Sequence, residues 1–415
     1  MKTPGMAATP AAAILEASVT ALEWWESKNL SIDDFLESDA ALQEYRRSIA
    51  GTVFLYFRNK LFIDRLLKRR LAQRPRQELL HILRIALTQA LFSTSIAPEV
   101  AVSVAVDAAE MKSGKGAAGL VNAVLRRILE EAPRLIIEPK NVLPKPIFHR
   151  WKQLMPKKIN LMAGEFMSTP AFTCRDTGDF RLDAGKFKAE PVELEFTAPY
   201  RFYRIGEPGK LLDSNELNNG EIYIQDPATA LPVSMLELNG DEKVCDLCAA
   251  PGGKTLMIAE KLSGRGFLLV NDRSARRQEQ TRANFDRLKV TIPYEISVAD
   301  ALDVRGEFDV VVCDVPCSNT GVFRRRPDAL WRFTEEHLKE LTALQMKILS
   351  HAAKVVKPGG RRLYSTCSID PDENGLLVAE FLKSHGLFSL IKQRQCYPDR
   401  YCDGAYTALM IRNIQ

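Results

Sequence analysis

Two cysteines, far apart in the chain, stand in settings that suit nucleophilic chemistry. Cys317 lies in Asp314-Val315-Pro316-Cys317-Ser318, directly after the apolar run 308–313. Cys367 lies in Ser365-Thr366-Cys367-Ser368, after Gly359-Gly360-Arg361-Arg362-Leu363-Tyr364. Proline, serine and threonine neighbours put both in loops at strand ends, where a thiol can be polar, partly exposed and activated. Carbon 5 of a cytosine is a poor nucleophile. A thiolate that adds to carbon 6 makes the ring an enamine, which can attack an electrophilic methyl group. Asp314 stands three residues before Cys317, across the stiff Pro316. A carboxyl group there can bond ring nitrogen 3 and the exocyclic amine and so favour addition. The plainer reading of any cysteine is a small buried hydrophobe. That reading suits Cys245 and Cys313, which lie inside strand-like runs.

A methyl donor has to lie alongside. Asp246-Leu247-Cys248-Ala249-Ala250-Pro251-Gly252-Gly253-Lys254-Thr255 reads as a strand end, a turn of small residues and a helix start. That arrangement brings backbone N–H groups to a ligand. The turn Cys248, Ala249, Ala250, Pro251, Gly252, Gly253, Lys254 is neither the G-x-G-x-x-G of a dinucleotide fold nor a phosphate-cradling loop. No glycine stands five positions before Gly253. Such a turn suits S-adenosylmethionine, which has no phosphates. Asp272 ends the next strand, where a carboxylate can accept bonds from both ribose hydroxyls. Asp300 ends a third strand, near where an adenine amine would lie, and Asp314 borders the same space. Each of Asp272 and Asp300 reads equally well as a helix N-cap.

Beyond Cys317 the chain carries Phe323, then Arg324, Arg325 and Arg326, then Trp331. Arginines beside aromatic side chains at the lip of a site suit phosphate and base contacts. Arg126 and Arg127 form a second basic pair, and Lys68-Arg69-Arg70 a third cluster. Any one of them also reads as a solvated helix face.

The elements that must position these residues follow from periodicity. From about Ala11 to Glu131 apolar residues recur at three and four positions, as in Leu79, Leu80, Leu83, Leu87, Leu91. Gly114-Lys115-Gly116 divides one helix from the next. Residues 133–156 are rich in proline and lysine and read as a linker. The stretch to Asn239 is mixed, with strand-like pieces at Glu193–Phe196 and Glu221–Ile224. From Lys243 strands and helices alternate, which argues for a doubly wound parallel sheet with ligands at its carboxyl ends. A multidomain chain is expected: an all-α domain over 1–138, a linker and small α+β domain over 139–239, and an α/β Rossmann-like domain over 240–415.

The 415 residues are too many for one ordinary domain, and 46% hydrophobic with 26% charged residues is a soluble globular composition. A net charge of +5 permits nucleic-acid binding without demanding it. Eight cysteines, seven of them in the C-terminal half, fit a reduced cytoplasm better than a secreted disulfide scaffold. Cys245-x-x-Cys248 has metal-pair spacing, but no second pair completes a ligand set, so no metal is expected. No signal-peptide core and no membrane span are read, and a cytoplasmic monomer is expected.

Taken together, the cofactor turn, Asp272, Asp300, Asp314 to Cys317, Thr366-Cys367 and Asp403-Gly404 resemble the RNA (cytosine-5) methyltransferases of the NOL1/NOP2/Sun family. The resemblance implies that Cys367 is the nucleophile and that Cys317 assists release of the methylated product. The helices Glu78–Leu87 and Gly119–Arg126 look like a NusB-type RNA-binding domain. That order of domains is similar to the RsmB group, which implies small-subunit ribosomal RNA as substrate. Relatives carry a Leu-Arg-x-Asn stretch in the middle domain, where this chain has Phe172-Thr173-Cys174-Arg175-Asp176. Two other readings stay open: the same chemistry on transfer RNA, and a non-catalytic RNA-binding protein with a relic methylase.

Overall fold

The structure is a computed structural model that describes residues 9–28, 31–38, 43–131 and 142–414. The chain divides into two compact units. The first runs to Ser168 and takes in Phe323–Phe333; the second comprises Thr169–Val322 and Thr334–Gln415.

The first unit is helical. Its elements are α1 (Pro10–Lys28), α2 (Ile32–Ser38), α3 (Arg46–Arg70), α4 (Gln77–Phe92), α5 (Pro98–Ser113), α6 (Lys115–Glu131), α7 (Lys145–Leu154) and α8 (Ile159–Met167). Every residue of α4 from Leu79 to Gln89 is buried, so α4 is the central helix, packed by α1, α3, α5 and α6. Gly114, at φ 80°, ends α5 in a conformation that costs glycine little. Arg84 of α4 joins the helices by charge: its Nε lies 2.8 Å from Asp64 Oδ1 and its Nη1 3.0 Å from Glu26 Oε1. The part of the expected linker at 132–141 lies outside the described residues. From Lys145 the chain is helix α7 instead, because Pro144 caps it and Pro146 sits in its first turn, where a missing N–H costs nothing.

Phe323–Phe333 is built into this helical unit. Phe323 stacks on Trp151 at 6.0 Å between ring centres. The Trp331 indole N–H donates to the Phe57 carbonyl at 2.9 Å, and Leu330 is buried. Trp24, Trp25, Trp151 and Trp331, all four tryptophans of the chain, therefore belong to one unit.

The second unit holds two sheets. The smaller has β1 (Thr173–Asp176), β2 (Ala189–Val192), β3 (Phe202–Ile205) and β4 (Ile222–Ile224) in the order β2-β3-β1-β4, with all pairs antiparallel. The strand expected at Glu193–Phe196 is absent. Leu194 N–H donates to Thr197 Oγ1 and Thr197 N–H to the Leu194 carbonyl, both at 3.0 Å, which closes a turn there. Arg175 of β1 is fully buried, and its Nη1 lies 2.8 and 3.0 Å from the two carboxylate oxygens of Glu260.

The larger sheet has β5 (Lys243–Asp246), β6 (Phe267–Asn271), β7 (Tyr294–Ser297), β8 (Phe308–Asp314), β9 (Val356–Thr366), β10 (Phe388–Cys396) and β11 (Ala405–Arg412). Its order is β10-β11-β9-β8-β5-β6-β7. The five strands from β9 to β7 pair in parallel, as alternation of strands and helices predicts. An antiparallel hairpin, β10–β11, extends the β9 edge and was not expected. Helices α9 (Gly253–Ala259), α10 (Ala275–Arg287), α11 (Glu335–Val355) and α12 (Gly375–Ser384) cover the sheet, together with the short helix Ala230–Met235 against β9 and β11. Side chains alternate across β8 with period two. Val310 and Val312 join one core with Leu256 and Phe285, while Val311 and Cys313 join another with Leu349 and Phe381. Strand β5 lies between β6 and β8, so the crossovers run to opposite sides there, and the carboxyl end of β5 is the place where such sheets bind ligands.

Candidate active site

Three adjacent strands deliver the site. β5 ends at Asp246, β8 at Asp314 and β9 at Thr366. The register pairs Asp314 with Ser365, so the Pro-Cys loop and the Thr-Cys loop leave the sheet side by side. The sulfurs of Cys317 and Cys367 lie 3.0 Å apart, both as free, half-buried thiols. The Cys367 sulfur, then burial, then the charges of Cys367 and Glu373 push the Cys317 thiol well above its ordinary range. Asn319, held at φ 61°, accepts from the Cys367 sulfur at 3.2 Å and donates to the Cys317 carbonyl at 3.2 Å. Cys245 and Cys313 are fully buried inside strands, as expected of small hydrophobes. Burial pushes Cys313 up to about 12 and raises Cys245 well above its ordinary range.

Asp314 is engaged on both oxygens. Ser365 Oγ donates to one at 2.9 Å, and the Lys254 ammonium to the other at 2.6 Å. Burial disfavours that ammonium, but the charge and hydrogen bond of Asp314 outweigh it and raise Lys254. Lys254 thus ties the turn after β5 to the Pro-Cys loop, a link that spacing alone did not reveal.

The turn itself is fastened by backbone. Ala249 N–H donates to the Asn271 carbonyl at 2.8 Å, and Gly252 N–H to the Ala249 carbonyl at 2.8 Å. Gly252 takes φ 96°, a conformation that favours glycine, and a Cβ there would press within 3.1 Å of Thr281. Pro251 is exposed, Cys248 half-buried, and Gly253 opens α9. Burial raises the Cys248 thiol well above its ordinary range. Asp246 is buried and bonded by neutral groups: Thr255 Oγ1 donates at 2.7 Å and Cys248 N–H at 3.3 Å. Burial raises it to about 7 despite the Thr255 bond.

Asp272 follows β6 directly. It accepts from Ala250 N–H at 3.2 Å and Ser274 N–H at 2.9 Å, with Arg277 at 3.5 Å. Arg277 also donates to the Ala250 carbonyl. Asp300 does not end a strand. β7 stops at Ser297, and Asp300 caps a short 3-10 turn, accepting from Leu302 N–H at 2.9 Å with its side chain exposed.

Asp403-Gly404 packs against both cysteine loops. Gly321 N–H donates to the Cys367 carbonyl at 3.0 Å and Gly404 N–H to the Gly321 carbonyl at 2.9 Å. A Cβ at Gly321 would fall 2.6 Å from the Cys367 carbonyl, and one at Gly404 2.8 Å from Gly321 Cα. Only glycine permits that approach.

Sequence reasoning missed Glu373, which is fully buried and accepts from Ser318 N–H at 2.8 Å and Gln345 Nε2 at 2.9 Å. It missed Asn374 too, which accepts from Thr366 Oγ1 at 2.7 Å and donates to the Ser368 carbonyl at 2.9 Å. Their only sequence signal is a polar run, Asp370 to Asn374, close behind Cys367.

The expected RNA-facing arginines divide. Arg324 is buried and pairs with Glu165 at 3.1 Å, so its guanidinium is turned inward within the helical unit and is not at a lip. Arg325 is half-buried; Arg326 is exposed, 3.6 Å from Asp33. Trp331 is likewise built into that unit. Arg126 and Arg127 stand exposed on α6, with Arg126 Nε 2.9 Å from Asn122 Oδ1. Among the described residues no three His, Cys, Asp or Glu side chains are placed to hold a metal, and no helix is long and apolar enough to cross a membrane.

Residues 233–406 match the family model for 16S rRNA methyltransferase RsmB/F, and residues 11–130 match the NusB family. The chain is 31% identical over 321 residues to ribosomal RNA small subunit methyltransferase B of Shewanella oneidensis, covering 74% of each chain. It is 30% identical over 340 residues to the protein of the same name in Erwinia tasmaniensis, covering 78% of this chain and 79% of that one. A crystal structure of the protein PH0851 shares the fold, with a TM-score of 0.76, 24% identity, and coverage of 99% of this chain and 100% of that one.

Proposed function

We infer, from the premise that this chain belongs to the RsmB/F family of 16S ribosomal RNA methyltransferases, that it methylates carbon 5 of a cytosine in small-subunit ribosomal RNA through a covalent bond from Cys367. The observation that carries the reading is the pair of sulfurs 3.0 Å apart at the ends of neighbouring strands, with Asp314 beside them.

The residues around the β5 turn fit S-adenosylmethionine. Small side chains line the turn, Asp272 and Asp300 offer acceptors for hydroxyls and an amine, and no phosphate loop is present. Asn271 donates to the Leu247 and Ala299 carbonyls at 3.1 Å each, and its own buried oxygen has no hydrogen-bond partner among the described residues. When bound, the cofactor supplies a sulfonium methyl group.

Cys317 keeps its proton while Cys367 gives its own to water and attacks. The thiolate pair of Cys367 forms the bond to carbon 6, and Asp314 steadies ring nitrogen 3 and the amine. Carbon 5 then takes the methyl. Once the Cys367 sulfur is bound to carbon 6, the strongest influence raising the Cys317 thiol is gone. Cys317 can release its proton to water and, as thiolate, accept the proton on carbon 5. The carbon–hydrogen pair restores the 5,6 double bond, and the carbon–sulfur pair returns to Cys367. A cytosine in a duplex must leave the stack first. Such a substrate implies a cytoplasmic protein.

The test is incubation with tritiated S-adenosylmethionine and, separately, unmodified ribosomal and transfer RNAs. Label on small-subunit ribosomal RNA, lost with Cys367→Ala, is expected. Label on transfer RNA alone would change the substrate. No label on any RNA, with cofactor bound, would favour a binding protein.

A further inference from the structure

We propose that Glu373 is a positioning residue that fixes the Cys317 sulfur for the release step, acting through Ser318 and Gln345; this rests on the reading above. The two peptide groups flanking Cys317 are both tied to it. On the C-terminal side, Ser318 N–H donates to Glu373 Oε1 at 2.8 Å, and Ser318 Oγ donates to Oε2. On the N-terminal side, Gln345 Nε2 donates both to the Pro316 carbonyl at 2.8 Å and to Glu373 Oε1 at 2.9 Å. Tyr364 of β9 locks the pair in turn. Its hydroxyl donates to the Glu373 carbonyl at 2.6 Å and lies 3.2 Å from Gln345 Oε1.

Glu373, Gln345 and Tyr364 come from three elements: the short turn after Cys367, helix α11 and strand β9. All three side chains are buried. They enclose one loop, and that loop carries one sulfur. Cys367 is held by other bonds. Its carbonyl accepts from Gly321 N–H, Thr366 Oγ1 and the Ser368 carbonyl are bonded to Asn374, and Glu373 reaches that loop through the Ser368 side chain without touching either peptide group that flanks Cys367. Loosening Glu373 therefore frees Cys317 more than Cys367.

The carboxylate is bonded by neutral donors, and burial raises it even though Ser318, Ser368 and Gln345 bond to it. Its work is hydrogen bonding rather than charge. A glutamine can reproduce that work. Its oxygen can take the two N–H donors on Oε1, and its amide can donate to a rotated Ser318 hydroxyl. An alanine leaves Ser318 N–H and Gln345 Nε2 buried without an acceptor.

The experiment compares Glu373→Ala, Glu373→Gln, Gln345→Leu and Cys317→Ala with the full-length protein, using unmodified small-subunit ribosomal RNA and tritiated S-adenosylmethionine. Two readouts are taken: multiple-turnover label, and protein–RNA adduct that survives denaturant. Glu373→Ala is expected to lose turnover on the order of 10²-fold while adduct accumulates, as for a reacting group misplaced by about an ångström. Glu373→Gln is expected to stay within about threefold of the parent, since it keeps the bonds. Gln345→Leu serves if Glu373→Ala does not fold, and is expected to accumulate adduct as well. Normal turnover by Glu373→Ala, or equal loss of adduct and turnover in a folded variant that still binds cofactor, would overturn the assignment. So would a glutamine variant as poor as alanine, because charge would then be the cause. If Cys317→Ala itself forms no adduct, the division of labour between the two cysteines falls, and this inference with it. If Cys317→Ala traps RNA and the Glu373 and Gln345 variants do not, only the inference falls.

Discussion

The two units use acidic side chains for opposite purposes. In the helical unit Glu26 faces Arg84 at 3.0 Å and the buried His81 at 3.4 Å. Burial opposes its charge, but His81 and Arg84 prevail and hold it down to about 2. In the sheet unit Asp246 and Glu373 accept from hydroxyls and amides instead, and burial raises both. A partly exposed carboxylate paired with a guanidinium locks helices together. A buried carboxyl bonded by neutral donors fastens a loop, and it can do so in either protonation state. The first kind of site gives rigidity between elements, the second places a particular backbone segment beside a reaction.

This difference can be broken cleanly, because all four tryptophans lie in the helical unit and their fluorescence reports that unit. The largest expected effect is on chemistry alone. Cys367→Ala should reduce labelling of small-subunit ribosomal RNA by at least about 10⁴-fold, as removal of a nucleophile does. The tryptophan-detected unfolding midpoint should not move; a shift would mean that the two units are not separable in this way. Next in size, Arg84→Leu should lower the stability read by tryptophan by about 1–3 kcal/mol, since it removes the guanidinium that joins Glu26 to Asp64 and leaves them only His81 and Lys60. Cofactor binding in the other unit, measured by calorimetry, should be unchanged.

A third effect concerns the sign of the pH dependence. Glu26 has a folded value below the ordinary 4.5. Its contribution is therefore present above about 4.5 and is lost as pH falls towards 2; solvent screening limits it to about 1–2 kcal/mol. Asp246 runs the other way. Its folded value of about 7 lies above the ordinary 3.8, so the folded state binds the extra proton between them. Its contribution is present below about 4 and is lost as pH rises through 7. Glu26→Gln should flatten the acid limb seen by tryptophan, and Asp246→Asn should flatten the slope between about pH 4 and 7 seen by cofactor-free unfolding of the sheet unit. Identical slopes in both units would erase the distinction. The smallest effect is electrostatic. Replacing Arg126 and Arg127 by alanine should weaken RNA binding a few-fold and reduce the salt slope by about 1 for each phosphate that the two arginines no longer neutralise. A fall in cofactor affinity along with it would point to damage elsewhere.

These contrasts also explain what could be read in the chain before its structure. The cysteine loops and the turn after β5 were legible because their chemistry is local: Pro316, Thr366 and Gly252 shape the few residues around them. Four of the five parallel strands, β5, β6, β8 and β9, were legible from alternation because an apolar run leads into a helix, whereas β7, Tyr294–Ser297, is followed only by a 3-10 turn. Glu373 was not, because its burial depends on α11 and β9, whose side chains reach it only once the sheet is assembled. Long-range packing also hides the place of Arg324. A run of three arginines looks like a phosphate clamp, and nothing in the run tells that Glu165 waits for the first of them. Hairpin β10–β11 is hard to read because β10 exposes Ser389, Leu390 and Ile391 in succession, breaking period two. Asp300 reads as a strand end only if β7 runs three residues beyond Ser297, where it in fact stops.

Phe323–Phe333 decides how such a protein can be taken apart. The helical unit is discontinuous along the chain, and its missing piece is inserted within the sequence of the other unit. No single cut separates the two. A fragment beginning at Thr169 would keep Phe323, Leu330 and Trp331 without the helices that bury them, and so would present a sticky apolar tongue to solvent. An isolated catalytic module therefore needs that tongue excised and its ends rejoined. Exchange of the helical unit between relatives would likewise have to carry two stretches of sequence at once.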